Sequence, residues 1–90
     1  MFVHPSANPL EVSTAIVRGA YEYQGQKCSA ASRAYIPESL WPKIKNFILD
    51  MISSIKVGDV RDFGNFMNAV IDESSFDNIM TYIQRTNESG

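Results

Sequence analysis

Apolar residues recur at helical spacing in three stretches of this chain, and each stretch is bounded by residues that start or stop a helix. In the first, Val12, Ile16, Gly19 and Tyr23 follow at intervals of four, three and four, with Ala15 and Ala20 widening the stripe. Asn8 stands before it as an N-cap. Pro9 takes the first helical position, and Glu11 the third, where a carboxylate can reach back to a free backbone N–H. Gly25 suits a left-handed C-terminal position, so the helix is expected to end near it. The second stretch is the clearest: Leu40, Ile44, Phe47, Ile48, Met51, Ile52 and Ile55, with Ser39 as N-cap and Pro42 in the first turn. Lys43, Lys45, Asn46, Asp50, Ser53 and Ser54 form its wet side, and Lys56-Val57-Gly58-Asp59 stops it. In the third, Asp72 caps a helix whose apolar face is Phe76, Ile79, Met80 and Ile83. Ile71 and Phe76 are placed for a hydrophobic staple, and Arg85 to Gly90 are expected to fray.

The connections read differently. Ser32-Arg33-Ala34-Tyr35-Ile36 alternates, with Ala34 and Ile36 on one side and Arg33 and Tyr35 on the other, and predicts a strand ended by Pro37. Phe2-Val3 is a strand remnant at most, and Ala69-Val70-Ile71 is a candidate short extended piece. Val60 to Asn68 is a loop, and Phe63, Phe66 and Met67 give it apolar side chains that are expected to pack. A strand without a partner leaves its backbone donors and acceptors unpaired. The pattern therefore predicts an α/β fold, three helices with one or two short strands, as a piece of a larger domain. The alternative is a small helical interaction or regulatory domain that uses Ser32–Ile36 as a linker.

Composition narrows the class. Ninety residues make one domain or less, with 44% apolar and 20% charged residues, which is globular rather than disordered. A chain this short buries roughly 60–65% of its unfolded surface, a modest core. The net charge of -2 with scattered Lys and Arg argues against a nucleic-acid surface. No apolar run approaches the ~20 residues of a membrane span. Met1-Phe2-Val3-His4-Pro5 has neither the basic flank and apolar core of a signal peptide nor the arginines of a transit peptide, so no targeting signal is expected in these residues.

Candidate chemistry centres on Cys28, the single cysteine, which excludes an internal disulfide. A lone free cysteine is most often a small buried hydrophobe. Against that, Lys27 is adjacent, Gly25 permits an unusual backbone upstream, and Gln26, Lys27 and Ser29 surround the thiol with polar groups. Positive charge and backbone N–H groups near a thiol favour a nucleophile. His4, the single histidine, sits beside Pro5 and is a poor partner for it; there are too few Cys and His for a metal site. Glu22 reads as a solvated-face residue, while Glu11, Glu38 and Asp72 read as caps. The five glycines are isolated and form no phosphate-cradling loop.

Gly25-Gln26-Lys27-Cys28-Ser29-Ala30 resembles the catalytic-cysteine segment of the aldehyde dehydrogenases, G-Q-x-C followed by a small or hydroxyl residue and Ala. The flanks are similar too: Val3-His4-Pro5-Ser6-Ala7, Tyr21 to Ala31, Lys56 to Asp59, and Val70-Ile71-Asp72 with Ser75-Phe76. They look most like the branch that oxidises L-glutamate 5-semialdehyde, formed from 1-pyrroline-5-carboxylate, to L-glutamate in proline catabolism. Asn68-Ala69 departs from the Gly-Pro or Ala-Pro common before Val-Ile-Asp. The resemblance implies that Cys28 attacks the aldehyde carbon, with its own backbone N–H helping to hold the oxyanion, and that a thiohemiacetal and then a thioester form. It implies NAD as hydride acceptor and Ser29 as a contact to the substrate carboxylate, and leaves Ser32 and Arg33 to hold the loop. It implies that residues 1–90 are part of a thiol-bearing catalytic domain. The dinucleotide-binding domain, glutamate base and oxyanion-hole asparagine are expected outside them, so the segment alone is expected to be inactive. The resemblance also implies that the full-length protein is a homo-oligomer, in the mitochondrial matrix for a eukaryotic source or the cytoplasm for a bacterial one.

Overall fold

A computed structural model describes residues 1–90. Three α-helices are joined by turns: α1 (Pro9–Tyr21), α2 (Trp41–Ser54) and α3 (Glu73–Glu88), with a single 3₁₀-like turn, Glu22–Gly25, following α1. None is long and apolar enough to cross a membrane.

α1 begins as its residues dictate. The Asn8 side-chain oxygen accepts from the N–H groups of Leu10 (3.0 Å) and Glu11 (3.3 Å), which satisfies two of the donors a helix start leaves free. Glu11 stays exposed in the first turn, where its charge suits the helix dipole. The helix ends at Tyr21 rather than near Gly25, because the backbone leaves the helical region at Glu22 (ψ 137°) and Tyr23 and Gln24 then take left-handed angles.

α2 starts without the expected Ser39 cap. The N–H groups of Leu40 and Trp41 donate to the Pro37 carbonyl (3.0 and 3.1 Å), and Pro42 has no N–H to offer. The serine hydroxyl therefore has little left to accept.

The core lies between α1 and α2 and is small. Ser13, Val17 and Ile44 are the three buried residues. The buried stripe of α1 is thus rotated from the expected one: Val12, Ile16 and Ala20 are half-buried, whereas Ala15 and Gly19 face solvent. Ser13 explains the rotation. Its hydroxyl donates to the Pro9 carbonyl at 2.6 Å and reaches the Ile44 carbonyl of α2 at 3.4 Å. A small side chain that satisfies itself on backbone lets two helices approach closely, which an apolar pattern does not reveal.

α3 packs against neither α1 nor α2. Asp72 caps it as expected, its carboxylate accepting from the Ser75 N–H at 2.7 Å. The staple does not close, with Ile71 81% and Phe76 55% exposed. Ile79, Met80, Tyr82 and Ile83 are exposed as well. The helix continues through Glu88 instead of fraying from Arg85, held in part by a 2.9 Å bond from Gln84 to Glu88. The radius of gyration, 14.5 Å, exceeds the roughly 12 Å of a compact domain this long.

No strand forms, so the strand component of the α/β expectation is not seen within these residues. Ser32–Ile36 contributes one isolated parallel bridge, Tyr35 to Phe2, with stacked rings 4.6 Å apart. Its sole extended neighbour is the short Met1–Val3 piece, which cannot supply a ladder. Ala69–Ile71 is not a strand either. A second bridge, Val57 to Met67, closes the following loop; Phe66 and Met67 are half-buried, but Phe63 is 97% exposed, contrary to expectation.

Candidate functional site

The site is built from the end of α1 outward. Tyr23, Gln24 and Gly25 have φ of 54°, 58° and 69°, three successive left-handed residues. Such angles cost a non-glycine residue about 1–2 kcal/mol each and persist when surrounding bonds impose them. Here the Gln24 side-chain NH₂ donates to the Ala69 carbonyl (3.3 Å), and the Gln26 N–H donates back to the Tyr23 carbonyl (3.1 Å). At Gly25 a side chain has no room: a Cβ would stand 2.7 Å from the Ala20 carbonyl oxygen.

This left-handed turn redirects the chain into a second turn, Lys27–Ala30, closed by the Ala30 N–H on the Lys27 carbonyl at 3.0 Å. Cys28 and Ser29 occupy its two corner positions and are exposed. Within these residues the thiol is therefore exposed rather than buried among core side chains. The backbone N–H groups of Cys28 and Ser29 donate to no atom of the chain.

The turn is fixed at both ends. Downstream, the Ala31 N–H donates to the Gly19 carbonyl of α1 at 2.8 Å. Upstream, the Gln26 side-chain oxygen accepts from the Ile71 N–H at 2.9 Å. Gln24 and Gln26 thus tie the cysteine segment to the strap that enters α3. Sequence reasoning assigned them no such role. The signal available was the pair of amides flanking a glycine suited to a left-handed angle.

The charges beside the thiol are committed elsewhere. Lys27 pairs with Glu22 at 3.3 Å, and Arg18 bonds the same carboxylate at 2.8 Å. Hydrogen bonds from Arg18 and then Lys27 hold the Glu22 carboxyl below its ordinary range. Glu22 is therefore the centre of an ion triad and not merely a solvated face. Ser6 engages His4 locally, its N–H donating to Nδ1 at 3.2 Å. Arg33 reaches Tyr35 (3.5 Å) rather than the cysteine turn. Grooves of about 300 and 790 Å³ run along Tyr23, Gln24, Val60 and Asn68, and neither is lined by Cys28 or Ser29.

The family model described as "Aldehyde dehydrogenase family" matches residues 1–90. The chain belongs to the aldehyde dehydrogenase family. Among curated aldehyde dehydrogenases it is 50% identical over 88 residues to the mitochondrial delta-1-pyrroline-5-carboxylate dehydrogenase of Dictyostelium discoideum, and 51% identical over 89 residues to the human mitochondrial enzyme of that name. Each alignment covers 98% of this chain and 16% of the relative. The fold is similar to a crystal structure of the delta-pyrroline-5-carboxylate dehydrogenase from Mycobacterium tuberculosis bound with NAD and cobalamin, with a TM-score of 0.90 and 40% identity over 96% of this chain and 16% of that one. The chain thus spans about one sixth of the length of the aldehyde dehydrogenases it matches. The family resemblance carried by Gly25–Ala30 and its flanks is borne out.

Proposed function

We propose that residues 1–90 are the nucleophile-bearing segment of the catalytic domain of an NAD-dependent dehydrogenase that oxidises L-glutamate 5-semialdehyde to L-glutamate. The observation that carries this is the position of Cys28: an exposed thiol at the corner of a turn fixed at both ends, with its own backbone N–H free. Similarity to delta-1-pyrroline-5-carboxylate dehydrogenases supports this substrate class and a part in proline catabolism.

The chemistry assigned to these residues is the addition step. The Cys28 thiolate forms the C–S bond to the aldehyde carbon, and the carbonyl π electrons move onto oxygen. The unpaired Cys28 N–H faces no competing acceptor and donates to that oxyanion, a fixed donor where charge develops. The Ser29 hydroxyl, at the adjacent corner, contacts the substrate's distant carboxylate. Later oxidation of the thiohemiacetal and hydrolysis of the thioester require a hydride acceptor and a base that these residues do not provide.

The segment itself does not fit a dinucleotide. Its glycines are isolated, and the N-termini of α1 and α3 are filled by Asn8 and by the anionic Asp72, which would repel a diphosphate. NAD supplies two-electron oxidation from other parts of the enzyme, and the ninety residues alone are inactive. A eukaryotic bearer of the chain uses it in the mitochondrial matrix as a homo-oligomer, and a bacterial one in the cytoplasm.

Cys28→Ser in the complete enzyme tests the assignment. NADH formation from glutamate 5-semialdehyde should vanish while NAD binding persists. Undiminished turnover would remove Cys28 from the mechanism, and turnover by the ninety residues alone would overturn their incompleteness.

A further inference from the structure

We propose that Gln26 is a positioning residue for Cys28, acting as an obligatory hydrogen-bond acceptor, with Gln24 as its donor counterpart. The inference rests on Cys28 being the nucleophile, and goes on to say what sets the thiol's position.

The argument starts from which atoms can pair. A backbone N–H only donates, so the Gln26 oxygen must face Ile71. A backbone carbonyl only accepts, so the Gln24 NH₂ must face Ala69. The two amides therefore grip one strap, Ala69–Ile71, in opposite senses, one on either side of Gly25. Without that grip, the left-handed angles of Tyr23 and Gln24 rest on the backbone bond from the Gln26 N–H to the Tyr23 carbonyl. The turn carrying Cys28 begins at the next residue. Its far end is held independently by Ala31 on Gly19. Releasing Gln26 frees one end of a two-point mount, so the sulfur moves relative to its own N–H and to bound substrate. A displacement of about 1 Å at a reacting centre can cost on the order of a hundredfold in rate.

Opposite polarity gives opposite responses to one substitution. Gln26→Glu keeps an oxygen acceptor for Ile71, whereas Gln26→Leu does not. Gln24→Glu places an acceptor against the Ala69 carbonyl, and its bond is lost. The test measures kcat and KM for the aldehyde in the complete enzyme, with Cys28→Ser alongside and the melting temperature of each variant recorded. The expected result is a kcat fall of about tenfold to a hundredfold for Gln26→Leu and Gln24→Glu. KM should change little, and Gln26→Glu should remain within about threefold of the parent. Equal loss in Gln26→Glu and Gln26→Leu, or no loss in Gln26→Leu, overturns the proposal. So does a kcat loss that merely follows a loss of folded protein. If Cys28→Ser keeps full activity, the nucleophile assignment fails first, and the glutamine series separates the two failures: the iodoacetamide rate at Cys28 should still change in Gln26→Leu and not in Gln26→Glu.

Discussion

Gly19 and Ala31 meet across the base of the cysteine turn. The Ala31 N–H donates to the Gly19 carbonyl at 2.8 Å, and a Cβ built on Gly19 would lie 3.5 Å from the Ala31 Cβ, an ordinary contact. Glycine in a helix interior costs roughly 0.5–1 kcal/mol relative to alanine, and nothing here requires it. Gly19→Ala is expected to stabilise the protein by about that amount, read as a raised midpoint in urea. A lowered midpoint would mean that the turn presses closer on α1 than the structure shows.

Gly25 behaves in the opposite way. It combines φ of +69° with a backbone oxygen 2.7 Å from where a Cβ would stand. Gly25→Ala should destabilise by about 2 kcal/mol or more, since left-handed strain alone costs about 1–2 kcal/mol. Amide exchange in residues 22–31 should rise in parallel. Unchanged exchange there would show that the left-handed turn does not depend on glycine.

The α1–α2 contact turns on Ile44 and Ser13. Ile44 is fully buried, and its truncation to alanine is expected to cost about 2–5 kcal/mol. That loss should be read as a lowered urea midpoint of the complete enzyme. Ser13→Leu should cost about 1–3 kcal/mol by overpacking the same crossing. A neutral Ser13→Leu would place the crossing elsewhere.

Glu22 sets a pH dependence. Its carboxyl is held below the ordinary value near 4.5 by hydrogen bonds from Arg18 and then Lys27. A group depressed on folding binds fewer protons in the folded state than in the unfolded one. Its contribution is present above the ordinary value and lost as pH falls through the lower, folded one. The melting temperature of the parent should exceed that of Glu22→Gln at neutral pH, and the difference should shrink in acid below pH 4.5. The pair is exposed, so salt should reduce the difference. A gap that persists unchanged in strong acid would exclude the ion triad as its cause.

Cys28 is exposed at the corner of its turn. Iodoacetamide should alkylate it in the folded protein without denaturant, since the thiol is accessible. A thiol that reacts only on unfolding would restore the reading of Cys28 as a structural residue of a small helical domain.

The helices were legible because their signals are local. Asn8 and Pro9 start α1, Asp72 starts α3, and the Leu40–Ile55 spacing marks α2. Ser39 misled because Pro37 and Pro42 remove the donors a cap needs. Ser32–Ile36 misled because alternation marks a chain able to pair, not one that finds a partner. The cysteine segment was readable as a motif in Gly25–Ala30, yet its support was not. Gln24 and Gln26 act on residues 45 positions away, a distance that no local pattern encodes.

By itself, then, the sequence determined the three helices, the left-handed bend expected around Gly25 and the identity of the cysteine motif, because caps, periodicity and backbone preference act within a few residues. Tertiary structure alone decided that Ser13 rather than Val12 is fully buried beside α2, that Cys28 stands exposed between two anchors, and that two glutamines grip the strap entering α3. Each of those depends on which backbone groups distant in the chain are left to be paired, and that is settled only once the chain has folded.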